Sequence, residues 1–501
     1  MTIVARPTGR SSRSCLESGR LNVLFLAAEA APFVKVGGLG DVAGSLPHAL
    51  AALGHDVRVA IPGYGAIDWP VFHPERKARF DVPHRGDGRQ PAQVWETRST
   101  GVPVYLLTGP PIPTDRRIYG SGIEEDGPKF IFFSLAALEA CRELGFRPDV
   151  VHANDWHTGP AVYRLSMTGR SDPFFQDTGS LFTIHNLPYT GRDAGRFLAE
   201  YGLVATAALA LLPAWARDSM LGLGLAGADV LTTVSPTYAR EIRTPEGGYG
   251  FDGTLSARSD RLHGVLNGID TEVWNPATDD ALRERFDAAT LERRAANKAA
   301  LQQEAGLEPE EKTFLLAMVS RLDSQKGFDI ALPALMRWLE TGGQLVVLGS
   351  GDSAIERSLA GLELAFRGRA SARLRFDPPY ARKIYGGADG ILIPSRYEPC
   401  GLTQMIAMRY GAVPIARRTG GLADTITDVD EPGGTGILFD GYDSGSVAHA
   451  LARVLRVYAH REEWTEVERR GMGQDFSWDR SAAKYEALYR QALRFRRGET
   501  S

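Results

Sequence analysis

Phe33–Leu50 reads FVKVGGLGDVAGSLPHAL. It follows the apolar run LNVLFLAA, which begins at Leu21, and places a lysine, three closely spaced glycines and an acid before a helix-like pattern. Val42, Leu46, Leu50 and Leu53 mark one face of that helix, which Gly54 is positioned to close. Gly37, Gly38 and Gly40 are expected in the turn, where the missing Cβ lets a ligand approach the backbone. Exposed N–H groups at the start of a helix favour an anion there. Pro47 is expected to kink the helix. The spacing matches neither GxGxxG nor GxxxxGK[ST], so the stretch alone reads equally as a phosphate cradle and as a corner.

A second stretch, RTGGLADTI from Arg418, repeats the GGL-x-D core, again between an apolar run and a helical pattern. Two such turns imply two βα series. The first holds LNVLFLAA, VRVAI (from Val57), VPVYLL (from Val102), DVVHAN (from Asp149), LFTIH (from Leu181) and DVLTTVS (from Asp229). The second holds FLLAMVS (from Phe314), QLVVLG (from Gln344), RLRFD (from Arg373), GILIP (from Gly390) and AVPIA (from Ala412). These runs are near-continuously apolar rather than alternating, as strands are when helices cover both faces of a parallel sheet. The fold class is therefore α/β, with two doubly wound domains. Turn signals at Asn267-Gly268 and Asn275-Pro276 place a boundary near LHGVLNGIDTEVWNP. The expected domains are 21–265 and 266–477, after a disordered tail over 1–20 and before a terminal helix over 478–501. The charged segment DDALRERFDAATLERRAANKAALQQEAGL is expected to be a solvated helical connection.

With 501 residues the chain suits about two or three domains. A net charge of -4 gives no electrostatic support for a nucleic-acid or anionic-membrane partner, so any anion site must be locally basic. Cys15, Cys141 and Cys400 form no CxxC, which argues against a disulfide framework or zinc knuckle. No apolar run approaches the ~20 residues of a bilayer span. The Ser- and Arg-rich first twenty residues have a composition that a transit peptide would share, but lack an amphipathic face. A reducing, cytoplasmic setting fits.

VSRLDSQKGFD places Arg321 and Lys326 at the carboxyl end of the strand from Phe314, where the two cations suit a diphosphate leaving group. No DxD motif brings a metal, so cationic side chains can fill that role. HANDWHTG offers His152, Asp155 and His157, without the i,i+4 spacing or third ligand of a metal site. With His185, Asn186 and Tyr189 of TIHNLPYTG and Trp156, they suit a sugar, which presents hydroxyls and apolar ring faces. PSRYEPCGLTQMIAMRYG sets Glu398 before a helix expected to start near Gly401. That carboxylate reads either as a ligand for sugar hydroxyls or as a complement to the helix dipole. Cys400 has no visible base partner and reads as a packing residue.

KVGGLGDV, HANDWHTG, TIHNLPYTG, LNGIDTEVWNP, VSRLDSQKGFD and YEPCGLTQMIAMRYGAVPIARRTGGLADT follow one another between about Leu21 and Thr425. Together they resemble the hallmark segments of the bacterial glycogen synthases and plant starch synthases. The resemblance implies two Rossmann-like domains in the GT-B arrangement, facing across a deep inter-domain cleft, with the terminal helix crossing back to the N-terminal, acceptor-side domain. It implies a cytoplasmic glycosyltransferase that moves glucose from ADP-glucose to the non-reducing end of an α-1,4-glucan such as glycogen. The α configuration would be retained, with no metal and no cofactor. By motif position, Arg321 and Lys326 would neutralise the diphosphate, with Lys35 and Gly38 close to the donor. His157 would lie near the transferred glucose, and Glu398 would contact the sugar and support an oxocarbenium-like transition state. Asn267 and Asp126 would be cleft residues. Cys400, Gly401, Leu402 and Thr403 would line the nucleotide-sugar site.

Two segments depart from the family pattern. FDPPYARKIYGGADG puts Phe376 where the family holds the nucleotide base, and TPEGGYGFDG alters a tyrosine- and glycine-rich loop that serves the acceptor. The rival readings are a GT-B enzyme using UDP-glucose or another acceptor, a phosphorylase, and a glucan-binding protein without catalysis. The chain has no lysine segment like a pyridoxal-phosphate site, and its intact set of Lys35, His157, Arg321, Lys326 and Glu398 argues for catalysis.

Overall fold

The computed structural model describes residues 19–85, 88–168 and 171–499. The first eighteen residues of the expected tail, Cys15 among them, lie outside the described residues. Contacts divide the chain into two compact units. One comprises residues 19–232, 242–263 and 479–499; the other comprises Thr233–Glu241 and Gly264–Trp478.

Among the described residues the first unit carries β1 (Asn22–Leu26), β2 (Asp56–Pro62), β3 (Glu75–His84), β4 (Gly88–Thr97), β5 (Val104–Thr108), β6 (Val150–Asn154), β7 (Gly179–Ile184), β8 (Val230–Thr233) and β9 (Leu262–Gly264). They form one sheet in the order β3-β4-β5-β2-β1-β6-β7-β8-β9. The run β5-β2-β1-β6-β7 is parallel. Val23 to Leu26 are completely buried, which explains their unbroken apolar sequence. β3 and β4 were not legible in advance: they form an antiparallel edge hairpin whose outer strand, ERKARFDVPH, is mostly exposed and so lacks an apolar signature.

The second unit carries β10 (Leu315–Val319), β11 (Gln344–Leu348), β12 (Ala370–Arg373), β13 (Gly390–Ile393), β14 (Val413–Arg417) and β15 (Ile437–Phe439). Their order is β12-β11-β10-β13-β14-β15, with every neighbouring pair parallel. Leu315, Ala317, Val346 and Leu348 feed the core on one face of this sheet; Leu316, Met318, Leu345 and Val347 feed the other. β12 ends where a strand was expected to begin, because Asp377 instead caps the helix Pro378–Gly387, accepting from Tyr380 N at 3.1 Å.

Both sheets are doubly wound. Chain order reverses between β1 and β6 in one, and between β10 and β13 in the other. At such a switch point adjacent connections leave to opposite faces, opening a crevice outside the carboxyl ends of the strands. Most of the singled-out side chains stand at these two points.

Three local expectations change. The first helix begins at Gly38, so Gly38 and Gly40 lie in its first turn rather than before it, and it runs through Pro47 to Ala52. The charged connection becomes α-helical only at Arg294, and although most of its charges stay in solvent, Arg294 and Lys298 turn inward. Arg294 pairs with Glu468 at 2.7 Å, and Lys298 pairs with Asp389 at 2.7 Å, each pair buried. The loop after Glu398 passes through Gly401 and becomes helical at Thr403–Arg409.

Candidate functional site

In the second unit, the chain leaves β10 into a turn that Asp323 caps, its Oδ1 accepting from Lys326 N at 3.2 Å. Gly327 follows at φ +72°, and a Cβ there would lie 2.0 Å from the Pro394 carbonyl. The β10 and β13 ends are thereby pressed together. Lys326 Nζ consequently reaches Glu398 Oε2 at 2.6 Å, and Ser395 Oγ donates to the same oxygen at 2.8 Å. The two charged side chains are 18% and 9% exposed, so their attraction is far less screened than that of a surface pair. Arg321 is different: its side chain is 54% exposed, with NH1 on Asp323 at 3.0 Å and NH2 donating to Gln325 at 3.3 Å.

The loop after Glu398 is pinned through its carbonyls. Gly421 N donates to Glu398 O at 3.0 Å. Gln404 Nε2 donates to Cys400 O at 3.0 Å and Gly401 O at 2.9 Å. A Cβ on Gly420 would sit 1.9 Å from Glu398 O, and one on Gly421 would sit 2.0 Å from Cys400 O. The second GGL therefore has a packing reason: its glycines admit the backbone that carries Glu398. Gly401 adopts φ +74°, Leu402 caps the helix and Thr403 opens it. Cys400 is buried and its thiol is pushed up to about 12 by that burial, which leaves it no nucleophilic thiolate near neutrality. Asn267 is buried too, and its side-chain oxygen has no hydrogen-bond partner among the described residues.

In the first unit, the amide cradle before the first helix already holds a carboxylate. Val36 N and Gly37 N both donate to Glu29, with Gly37 N 3.2 and 3.1 Å from its two oxygens. Glu29 is 2% exposed, and burial raises its pKa against the pull of those two N–H groups. Its role was not foreseen, because its partners are backbone groups and carry no residue signature. Lys35 pairs with Asp41 at 2.7 Å. Gly38 has room: a Cβ on it would meet no heavy atom within 4 Å.

The β6 and β7 ends assemble Asn154, Asp155, His185 and Asn186. Asp155, at φ +58°, accepts from His185 N at 2.7 Å and Asn186 N at 3.3 Å. Burial lifts its carboxyl to about 7 despite those donors. His185 Nε2 bonds Asn154 Oδ1 at 2.9 Å, and burial lowers its pKa to about 3, so the ring is neutral. His157 is buried among Tyr119, Phe130 and Trp156, and neither ring nitrogen has a hydrogen-bond partner among the described residues. Burial, with Lys129 nearby, holds its pKa well below 6.5. Asp126 serves its own loop, its Oδ1 accepting from Gly120 N at 2.8 Å and Lys129 Nζ at 2.5 Å. His152 belongs to the core rather than to a pocket wall, bonded to Tyr489 OH at 2.8 Å and Thr183 Oγ1 at 2.7 Å.

No group of three or more His, Cys, Asp or Glu among the described residues is placed to hold a metal ion, and no helix among them is long and apolar enough to cross a membrane.

Residues 22–257 match the starch synthase catalytic domain family, and residues 301–470 match the glycosyl transferases group 1 family. Two doubly wound units with these matches define a glycosyltransferase of the GT-B fold. A glycogen synthase of Syntrophotalea carbinolica is 42% identical over 94% of this chain and 99% of its own length. One of Anaeromyxobacter dehalogenans is 43% identical over 94% and 99%. The catalytic domain of starch synthase IV from Arabidopsis thaliana, solved bound to ADP and acarbose, superposes with a TM-score of 0.86 at 35% identity, covering 95% of this chain and 100% of that one. The chain belongs to the glycogen and starch synthase family.

Proposed function

We propose that the chain elongates glycogen in the cytoplasm, transferring glucose from ADP-glucose to the non-reducing end of an α-1,4-glucan with retention of configuration and without a metal. The observation that carries this reading is the Lys326–Glu398 pair, 2.6 Å apart at the switch point of the second sheet with Arg321 beside it. A nucleoside diphosphate leaves as an anion, and fixed cations stabilise it most where water is scarce. Arg321 is half exposed and paired with Asp323, and an incoming diphosphate competes for its guanidinium, whereas Lys326 is held on Glu398. Glu398, anchored by Lys326 and Ser395, supports positive charge developing at the anomeric carbon. The acceptor hydroxyl enters on the face the leaving group vacates, so the configuration is kept.

Lys35 and Gly38 serve the donor, and the room around Gly38 supports this role. His157 and Asn267 suit sugar hydroxyls, because each is buried with an unused hydrogen-bonding atom. A neutral imidazole offers one donor and one acceptor, which a hydroxyl can use together. Asp126 acts at one remove, through the Gly120 loop. Cys400, Gly401, Leu402 and Thr403 shape the nucleotide-sugar site. Phe376, 83% exposed at the start of the helix Pro378–Gly387, offers a ring face on which a nucleotide base can stack. Stacking tolerates every base, so this residue does not select adenine over uracil, and UDP-glucose is the rival donor.

Arg321→Ala and Lys326→Ala are each expected to lower turnover by ~10²-fold, the scale of losing a transition-state charge partner, while glucan affinity measured by affinity electrophoresis stays unchanged. Parental turnover in both variants would remove the diphosphate role.

A further inference from the structure

The loop that carries Glu398 is gripped from outside. Thr233–Glu241 leaves β8 and packs within the second unit. Ser235 is completely buried. Its Oγ donates to the carbonyl of Pro399, the residue after Glu398, at 2.6 Å, and accepts from Tyr238 N at 3.1 Å as the helix Pro236–Glu241 begins. The accepted bond orients the hydroxyl so that its single proton points at Pro399.

The same segment holds a second element. Thr237 N and Oγ1 both donate to Asp424, each at 2.7 Å. Glu241 Oε1 accepts from Thr419 Oγ1 at 2.9 Å and Gly420 N at 3.0 Å. Thr419, Gly420 and Asp424 belong to the helix Gly420–Thr425 and its cap, whose Gly421 N holds the carbonyl of Glu398 itself. The peptide on either side of the Glu398–Pro399 bond is thus fixed, once directly by Ser235 and once through the helix that Glu241 caps. Gly264 has its place for the same reason, since a Cβ there would lie 2.4 Å from Pro236 Cα and Ser235 O.

We propose that Ser235 is a positioning residue for glucosyl transfer, with Glu241 as its second arm: it fixes the peptide after Glu398 so that the carboxylate stays where Lys326 and Ser395 hold it. This rests on the role given to Glu398 above. A buried serine that merely satisfied a carbonyl would affect stability alone, whereas a positioning serine must act through Glu398.

The test is a double-mutant cycle on the full chain with ADP-glucose and glycogen. Ser235→Ala is expected to lower kcat by ~10-fold with the donor KM changed less than about twofold, and to add less than about twofold in a Glu398→Gln background. An equal loss in both backgrounds, or no loss of kcat in the single variant, overturns the proposal. Should Ser235→Ala fail to fold, Glu241→Ala leaves Ser235 in place and enters the same cycle with the same expected non-additivity. A Glu398→Gln enzyme with the parental rate would defeat the role of Glu398 itself, a result readable without either partner variant.

Discussion

Asp155, at the first switch point, departs far from the chemistry of its free side chain. Its carboxyl ionises near 3.8 in an unfolded chain and near 7 when buried here. Between those values the folded protein keeps a proton that the unfolded chain has lost. The ionisation of Asp155 therefore weighs increasingly against the folded state as pH rises from 3.8 to about 7, and by a constant amount above that. Asp155→Asn keeps an oxygen for His185 N and Asn186 N but removes this ionisation. The difference in melting temperature, variant minus parent, is expected to rise across that window and level off above it. A difference that ignores pH would contradict a buried acid. His185 and His157 work in the opposite sense, losing stability as pH falls below 6.5, which is why the paired comparison is needed. Asp155, His157 and His185 were legible as chemistry-bearing types at strand ends. Glu29 was not, because a carboxylate that binds two backbone N–H groups leaves no second residue to read.

At the scale of elements, the two GGL turns look alike in sequence and differ in physical cause. Gly421 is glycine because the Cys400 carbonyl lies where its Cβ would stand; Gly38 is under no such pressure. Gly38→Ala is expected to fold with parental stability and to raise the donor KM, since the new methyl group enters space assigned to ligand. Gly421→Ala is expected to displace the Glu398 loop, lowering kcat by ~10²-fold or more, the scale of a misplaced catalytic group, with a measurable drop in melting temperature. Donor kinetics and thermal melts of the two variants separate the causes; equal behaviour would contradict them. The apolar strands were legible because both of their faces are covered. The β3–β4 hairpin was not, since its solvent-facing edge carries polar residues that sequence patterning assigns to loops. The inward charges of the Arg294 helix were missed for the converse reason: ion pairing hides buried charge behind a surface-like composition.

At the scale of the whole molecule, the terminal helix Trp478–Arg497 ends the chain on the first unit. Tyr489 OH meets His152 Nδ1, Arg490 donates to Gly19 O at 3.1 Å, and Arg496 donates to Gln176 O at 3.1 Å. The apolar spacing of this helix fits any core, and only the family resemblance assigned it to the N-terminal domain; the pairings that hold it there are made across more than three hundred residues. Tyr489→Phe strips the buried His152 of a partner and is expected to cost about 1–2 kcal/mol, read from the denaturant midpoint. An unchanged midpoint would show the contact to be incidental.

The central claim concerns what passes through the Lys326–Glu398 site. The most direct measurement incubates the protein with glycogen and, in separate reactions, ADP-glucose, UDP-glucose or GDP-glucose, reading chain length and the configuration of each new linkage. The account predicts α-1,4 extension that is fastest with ADP-glucose, with release of ADP. Extension with inverted configuration, or no glucose transfer from any of the three donors, would contradict it.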